Sequence, residues 1–391
     1  MDSARPIPPD SPAPIRYATA AAYAVAAVVH LVTAGLFIGG VLLIVLGLRT
    51  VVQPVLGALM LGVALSLRPR PGRLDAELPT LRHADAPVLF ALVDRMADVA
   101  GVRRVDAIQL GPEFSVTVTH YGIRRKRCLV LGLPLWTAHP TGKPIAALAH
   151  ALGSLSGRDL RSSAFVGVAL ESLEAMARTM RAGDSADASS SVDVYAWRAD
   201  DVAGAASRFD ARTRKGAWLV RIPGAAAAWT ARLLLWLTEP AARRAQFDAD
   251  DLAARMASTE AAIDALQDRR SARAVGIEVH RLVIATRTLT GDRSTSAAQE
   301  EFWDKVARYS ESLRAQRAGD EATEPEGGVT VVGAAGLPSE PLRMARLARV
   351  PRHSAAITLD ELDRDRIDDE LRLPRQVLTR KVMRDGVPLT P

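Results

Sequence analysis

Residues 148–160 read LAHALGSLSGRDL, and the folding of this stretch decides how the rest of the chain is read. With the preceding GKPIAA it makes a helix pattern. Pro144 suits a first helical turn, and Ile145, Leu148, Leu152 and Leu155 recur as an apolar stripe. His150 and Ser154 stand four residues apart, so they project from one face, one turn above the other. Two histidines at that spacing, with a glutamate after the first, form the zinc arrangement H-E-x-x-H, in which the glutamate is the general base. Here those positions are His150-Ala151-Leu152-Gly153-Ser154. The first imidazole is kept, alanine stands at the base position and serine at the second ligand position.

The residues before this helix predict a small mixed region. Asp85 is placed to cap a helix APVLFALVDRMADVA, in which Leu89, Val93, Met96 and Val99 share a face and Gly101 ends the run. VDAIQL at 105–110 reads as a strand. The β-branched, glycine-broken stretch from Phe114 to Trp136 reads as a hairpin. RRKR at 124–127 falls on its turn or second strand. It reads as a charged edge that resists aggregation, with a lipid-headgroup contact as the alternative.

Further upstream the chain changes character. Residues 1–16 are proline-rich and read as a disordered tail. Tyr17 to Leu48 then runs without a formal charge, longer than the roughly 20 residues a bilayer span needs. After Arg49-Thr50 and Gln53-Pro54 a second apolar run, Val55 to Leu67, ends at RPRPGR. Residues 17–67 therefore read as a transmembrane helical hairpin and not a cleaved signal, with a single span plus a re-entrant segment as the alternative. Arg5 and Arg16 precede it and Arg68, Arg70 and Arg73 follow it, while only Arg49 lies between. That asymmetry predicts a multi-pass cell-membrane protein whose tail and main domain are cytoplasmic. His30, inside the first span, marks either function or contact with a neighbouring helix, the latter being the commoner case.

Composition narrows the partners. The formal net charge is +6, but the arginines are scattered and aromatics make up only 5%, so lipid is the expected partner and nucleic acid is not. Cys128 is the single cysteine, which rules out an intrachain disulfide and a cysteine-based structural zinc site.

The surroundings of the 148–160 helix resemble the membrane-bound zinc endopeptidases of the HtpX and CAAX-prenyl-protease family (peptidase family M forty-eight). In that family the zinc helix follows membrane helices and a strand-rich segment, and reads L-A-H-E-x-x-H-x-x-x-x-D. This chain keeps Leu148, Ala149 and His150, the Leu152-Gly153 of the common H-E-L-G-H form, and Asp159. The family's third ligand is a glutamate in a later E-Y-x-A-D pattern. RRAQFDADDLAARMA matches it with Gln246 for the glutamate, Phe247, Ala249 and Asp250. A late H-P-P segment followed by an arginine corresponds to LPSEPLRM, where Leu337 replaces the histidine and Pro338 and Arg343 remain.

The resemblance covers roughly the hairpin to residue 370. It implies an α+β, mainly helical fold: an N-terminal transmembrane hairpin, then a gluzincin-like metallopeptidase domain with a small β-sheet. That domain would span 75–316. A linker at 318–336 and a C-terminal helical segment, 337–391, would complete it. It further implies that His150 is a vestigial metal ligand, with Ser154 and Gln246 at the other ligand positions. Asp159 and Asp250 are then supporting residues behind the ligands, and no catalytic residue is intact, Ala151 standing where the base belongs. A lone imidazole, a hydroxyl and a neutral amide make a poor zinc site, so no cofactor is expected. The reading is a membrane-anchored pseudopeptidase that binds peptides, membrane proteins or an active protease relative. The alternative is an active zinc metalloendopeptidase with non-standard ligands, working in membrane-protein quality control.

Four further stretches complete the reading. Residues 163–180 are apolar, but Glu171 and Glu174 argue against a full span. GDSADASSS at 183–191 reads as a polar loop. Residues 216–238 hold Trp218, Trp229 and Trp236 with Arg221 and Arg232. They suit either a helix lying on the membrane surface or a buried packing helix. ITLDELDRDRIDDEL, 357–371, carries five aspartates interleaved with Arg364 and Arg366. It lacks the glycine and spacing of a calcium loop, so it reads as a solvated helix.

Overall fold

The computed structural model describes residues 12–47, 52–67, 72–122, 124–138, 142–155, 163–177, 203–290, 296–321 and 337–386. Tail residues 1–11, the 183–191 stretch, Asp159 and linker residues 322–336 lie outside them. The fold is mainly helical, with a small mixed β-sheet and one long apolar helix. It divides into two units, Met1–Arg70 with Leu160–Ala242, and Pro71–Asp159 with Arg243–Pro391. Thus the stretch 75–316, read from sequence as part of one domain, contains a segment that groups with the N-terminal helices.

In the first unit, α1 (Pro12–Leu46) packs against α2 (Val52–Ser66). Glycines set their approach: a Cβ added at Gly57 would lie 2.7 Å from the Gly40 carbonyl oxygen. Arg16–Leu46 is long and apolar enough to cross a membrane by length and composition, and is the one such helix among the described residues; α2 is shorter. The helix at residues 166–177 (α6) buries Val166, Ala169 and Leu173 with Ala22 and Ala26 of α1, and with Ala227 and Leu234 of α7 (Ala203–Ala257). His30 Nε2 lies 3.1 Å from the Phe165 carbonyl oxygen and its ring packs on the Phe165 ring. It therefore contacts a neighbouring segment, the second of the two expected readings. In the 216–238 stretch, Trp229 and Trp236 point outward, whereas the side chains of Trp218 and Arg221 are among those not described.

The second unit holds the sheet. Its strands are β1 (Thr80–Leu81), β2 (Ala107–Gly111), β3 (Val116–Tyr121) and β4 (Lys126–Gly132), in the order β1-β2-β4-β3. β2 and β4 are parallel and the other pairs antiparallel. The expected 105–110 strand and hairpin are both present, turning at Gly122, whose φ of +69° is the left-handed region that glycine enters freely. The hairpin ends earlier than its sequence pattern predicts. Leu133–Ala138 is a helix (α4), because Pro134 cannot donate to a ladder and Trp136 instead buries, donating its indole N–H to Asp368 at 2.9 Å. RRKR runs from the turn into β4, an inner strand, so the expected charged edge strand is corrected: the edge is β3.

The capping expected of Asp85 is also corrected. Helix α3 (Pro87–Ala100) begins at Ala86, and Asp85 turns back to accept the Arg82 N–H. The first-turn N–H groups of Val88 and Leu89 donate instead to Glu370, which α11 (Glu361–Asp385) supplies. Gly101 ends α3 in the left-handed conformation, as its position predicts. Helices α5 (Lys143–Gly153), α8 (Thr259–Thr290), α9 (Ser296–Glu321), α10 (Glu340–Arg349) and α11 share a core in which Trp303 donates to Thr379 at 2.7 Å. Residues 318–321 of the expected linker belong to α9. In α11, Asp360 caps the N-terminus, and Arg364 and Arg366 pair with Asp368 and Asp363, as in a solvated helix of mixed charge.

Candidate functional site

Three elements converge on His150. Helix α5 carries it in the last turn, α7 brings Asp250 and α10 brings Arg343. Small residues let α5 and α7 meet. A Cβ on Gly153 would lie 2.9 Å from Ala249 Cα and 3.1 Å from its Cβ. These are the glycine and the small residue of the two sequence motifs, so the motifs face each other across this contact. Gly153→Val is expected to push the helices apart and cost about 1–3 kcal/mol. A thermal melt unchanged within a degree would show that the contact is not tight.

The cluster is a buried ion-pair network. His150 Nδ1 lies 3.0 Å from Asp250 Oδ1. Arg343 grips the same carboxylate with two bonds, Nε to Oδ2 at 2.8 Å and Nη2 to Oδ1 at 2.6 Å. The Arg343 and Asp250 side chains are only 4% and 3% exposed, so water does not screen the pair. Arg343 Nη2 also sits 3.3 Å from both ring nitrogens of His150. A donor equally distant from both lies over the ring, not on either in-plane lone pair. Burial lowers the His150 pKa against the opposing pull of Asp250, so the ring is neutral. Burial raises that of Asp250, but hydrogen bonds from Arg343 and His150 outweigh it and hold the carboxyl at about 2. An ionised carboxylate only accepts, which puts the imidazole proton on Nδ1 and leaves the lone pair on Nε2.

The other expected site residues take separate paths. Ser154 is the C-cap of α5, and its hydroxyl donates to the Ala151 carbonyl at 2.7 Å. Ala151 is buried. The Gln246 amide oxygen is buried with no hydrogen-bond partner among the described residues. Asp251 does point elsewhere: it takes Arg346 in a two-bond pair at 2.8 Å, and that guanidinium lies over the Phe247 ring. Cys128 is buried, which pushes its thiol up to about 11 and leaves it a poor nucleophile.

These donors do not fit zinc. A guanidinium covers the one imidazole, the serine hydroxyl is turned into its own helix, and the amide carries no charge to oppose a dication. Among the described residues no group of three His, Cys, Asp or Glu side chains could hold a metal ion.

A cavity of about 30 Å³, room for a water molecule or two, opens beside His150. Ser115 and Val116 at the start of β3, Ala146 and Ala147 of α5, and Leu266 and Arg269 of α8 contribute to its wall. Arg269 has no signature in the sequence, where it is one arginine of a charged helix. The pairing of Arg343 with Asp250 was not legible in the sequence, because nothing local links residues 93 positions apart.

A scan against protein-family models, a search of curated proteins and a search of solved structures gave no match to the chain.

Proposed function

We propose that this chain is a membrane-anchored pseudopeptidase of the HtpX type, which binds extended peptide segments of membrane or unfolded proteins without cutting them. The observation that carries the reading is the His150–Asp250–Arg343 cluster: the framework residues of the zinc motifs meet in space, while the base and two ligand positions hold Ala151, Ser154 and Gln246. Without a positioned base, roughly 10²–10⁴ in rate is lost before any metal effect. The apolar α1, with Leu31, Phe37 and Leu46 exposed along its length, supports a bilayer anchor, and α2 would return the chain as the second arm of a hairpin. The flanking arginines favour a cytoplasmic second unit.

The edge strand β3 supplies the binding mode. Ser115 accepts from Gly132 across the ladder at 2.9 Å. Antiparallel pairs alternate, so Thr117 and Thr119 also bond to β4, while the main-chain groups of Val116 and Val118 face outward. An extended peptide can add there as a further strand. In detergent-purified protein, zinc per chain is expected to be near zero, and a labelled unfolded client such as reduced casein is expected to bind and be recovered whole. Val118→Pro, which removes an outward N–H without breaking the ladder to β4, is expected to abolish binding. Client cleavage that a chelator stops, with zinc near one per chain and lost in His150→Ala, would overturn this proposal in favour of an active endopeptidase.

A further inference from the structure

We propose that the β3–β4 turn and the chain around Gly72 form one composite basic patch, and that this patch binds the anionic headgroups of the membrane in which the chain is anchored. The proposal rests on the bilayer-anchor reading above and adds to it the class of lipid and the residues that read it.

The charges of the turn lack the role that their sequence pattern offers. Cations on an edge strand resist aggregation, but Lys126 and Arg127 lie on β4, inside the order β1-β2-β4-β3, and Arg124 and Arg125 lie in the turn itself. Nor do ion pairs neutralise them. Arg124 and Lys126 are exposed, and their side chains make no hydrogen bond or ion pair among the described residues. The Arg127 guanidinium donates to the Arg103 carbonyl at 2.8 Å, a neutral acceptor. Asp106, the carboxylate that touches this strand, is already occupied. Arg103 Nη2 donates to both its oxygens at 3.1 Å, and it accepts the main-chain N–H of Arg127 at 2.9 Å. The excess is felt inside the hairpin, where burial first, then Arg125 and Arg127, lower the His120 pKa.

Packing adds two more cations. Gly122 donates to the Gly72 carbonyl at 2.9 Å, and a Cβ on Gly72 would collide with the His120 carbonyl oxygen. Arg73, the next residue, is thereby held beside the turn, exposed and without a partner among the described residues. Arg82 follows β1 at the same end of the sheet: Leu81 opposes Ile108, and Ala107, the β2 residue before it, opposes Cys128 of β4. Three separate segments thus place Arg73, Arg82, Arg124, Arg125, Lys126 and Arg127 together.

Chain length supplies the partner. Gly72 stands five positions after Leu67, the end of the second apolar run. Five residues span at most about 18 Å, so a bilayer that holds this run keeps its headgroups within reach of the turn. Anionic lipids of the cytoplasmic leaflet attract Lys and Arg placed beside a membrane helix, each cation strengthening binding by about five-fold.

The test uses the full chain in neutral detergent micelles, with phosphatidylglycerol and phosphatidylcholine carrying the same acyl-chain fluorophore. Anisotropy is expected to give phosphatidylglycerol about ten-fold tighter binding, and high salt should remove the difference. Arg124→Gln combined with Lys126→Gln should bring the ratio down to about two. Arg349→Gln combined with Arg352→Gln removes two cations exposed elsewhere in the same unit, and should leave the ratio unchanged. A ratio near one in the parent protein, or a ratio that survives in the turn variant, overturns the patch. A labelled single-stranded oligonucleotide that binds through Arg124 and Lys126, while the lipid ratio stays near one, overturns it in favour of nucleic acid. Alkaline carbonate extraction of membranes tests the anchor separately. A chain that carbonate releases, with a lipid ratio that still falls in the turn variant, removes the anchor and keeps the patch as a peripheral lipid site. A chain that stays in the membrane with a ratio near one keeps the anchor and removes the patch.

Discussion

Asp250→Ala is expected to lower the melting temperature of the detergent-purified protein by roughly 6–20 °C, the shift that a loss of about 3–5 kcal/mol produces in a unit of this size. The substitution removes the one carboxylate that Arg343 holds and leaves a guanidinium that is 4% exposed with only a neutral imidazole beside it. The large cost comes from this stranded charge and not from the net worth of the pair. Two comparisons separate the explanations. Asp250→Ala combined with Arg343→Met removes both charges, and is expected to cost clearly less than the sum of the single changes. Asp251→Ala breaks the Arg346 pair one position along, where the side chains are 29% and 33% exposed, and is expected to cost about 1 kcal/mol or less. Additive single and double effects, or a melt equal to that of Asp251→Ala, would show that the buried network is not what binds α7 to α10.

Acidification is expected to weaken the same network in a defined window. The folded-state pKa of Asp250 is about 2 against an ordinary value of 3.8. A depressed carboxyl contributes stability that is fully present above the unfolded pKa and is lost as pH falls from 3.8 towards 2. The difference corresponds to about 2 kcal/mol. His150 acts in the same direction at higher pH. Its folded pKa lies below 6.5, so the unfolded chain binds the proton more readily, and stability decreases once pH falls beneath 6.5. Two steps are therefore expected in stability against pH, an upper one absent from His150→Gln and a lower one absent from Asp250→Asn. A parent protein whose stability is flat from pH 7 to pH 3, or a lower step that persists in Asp250→Asn, would contradict this account.

Local chemistry made much of the fold legible. The Leu148–Leu155 stripe, the alternation through β3 and β4 and the αL glycine at 101 each depend on neighbours within a few residues, and each element formed where its pattern lay. The misreadings were decided at long range. Asp85 is a sound N-cap by type, yet Glu370 reaches the helix end from α11 and Asp85 bonds to Arg82. LPLW looked like the end of a strand until the buried Trp136 found Asp368.

The candidate site divides in the same way. By itself the sequence determined that His150 and Ser154 share a face and that Gln246 and Asp250 share another, because helical spacing depends on covalent geometry alone. Only the tertiary structure decided that Asp250 faces His150 and not solvent, and that Arg343 closes on both. Those outcomes depend on how closely three helices pack, and that distance is set by Gly153 against Ala249 and by the desolvation of charges that no local pattern records.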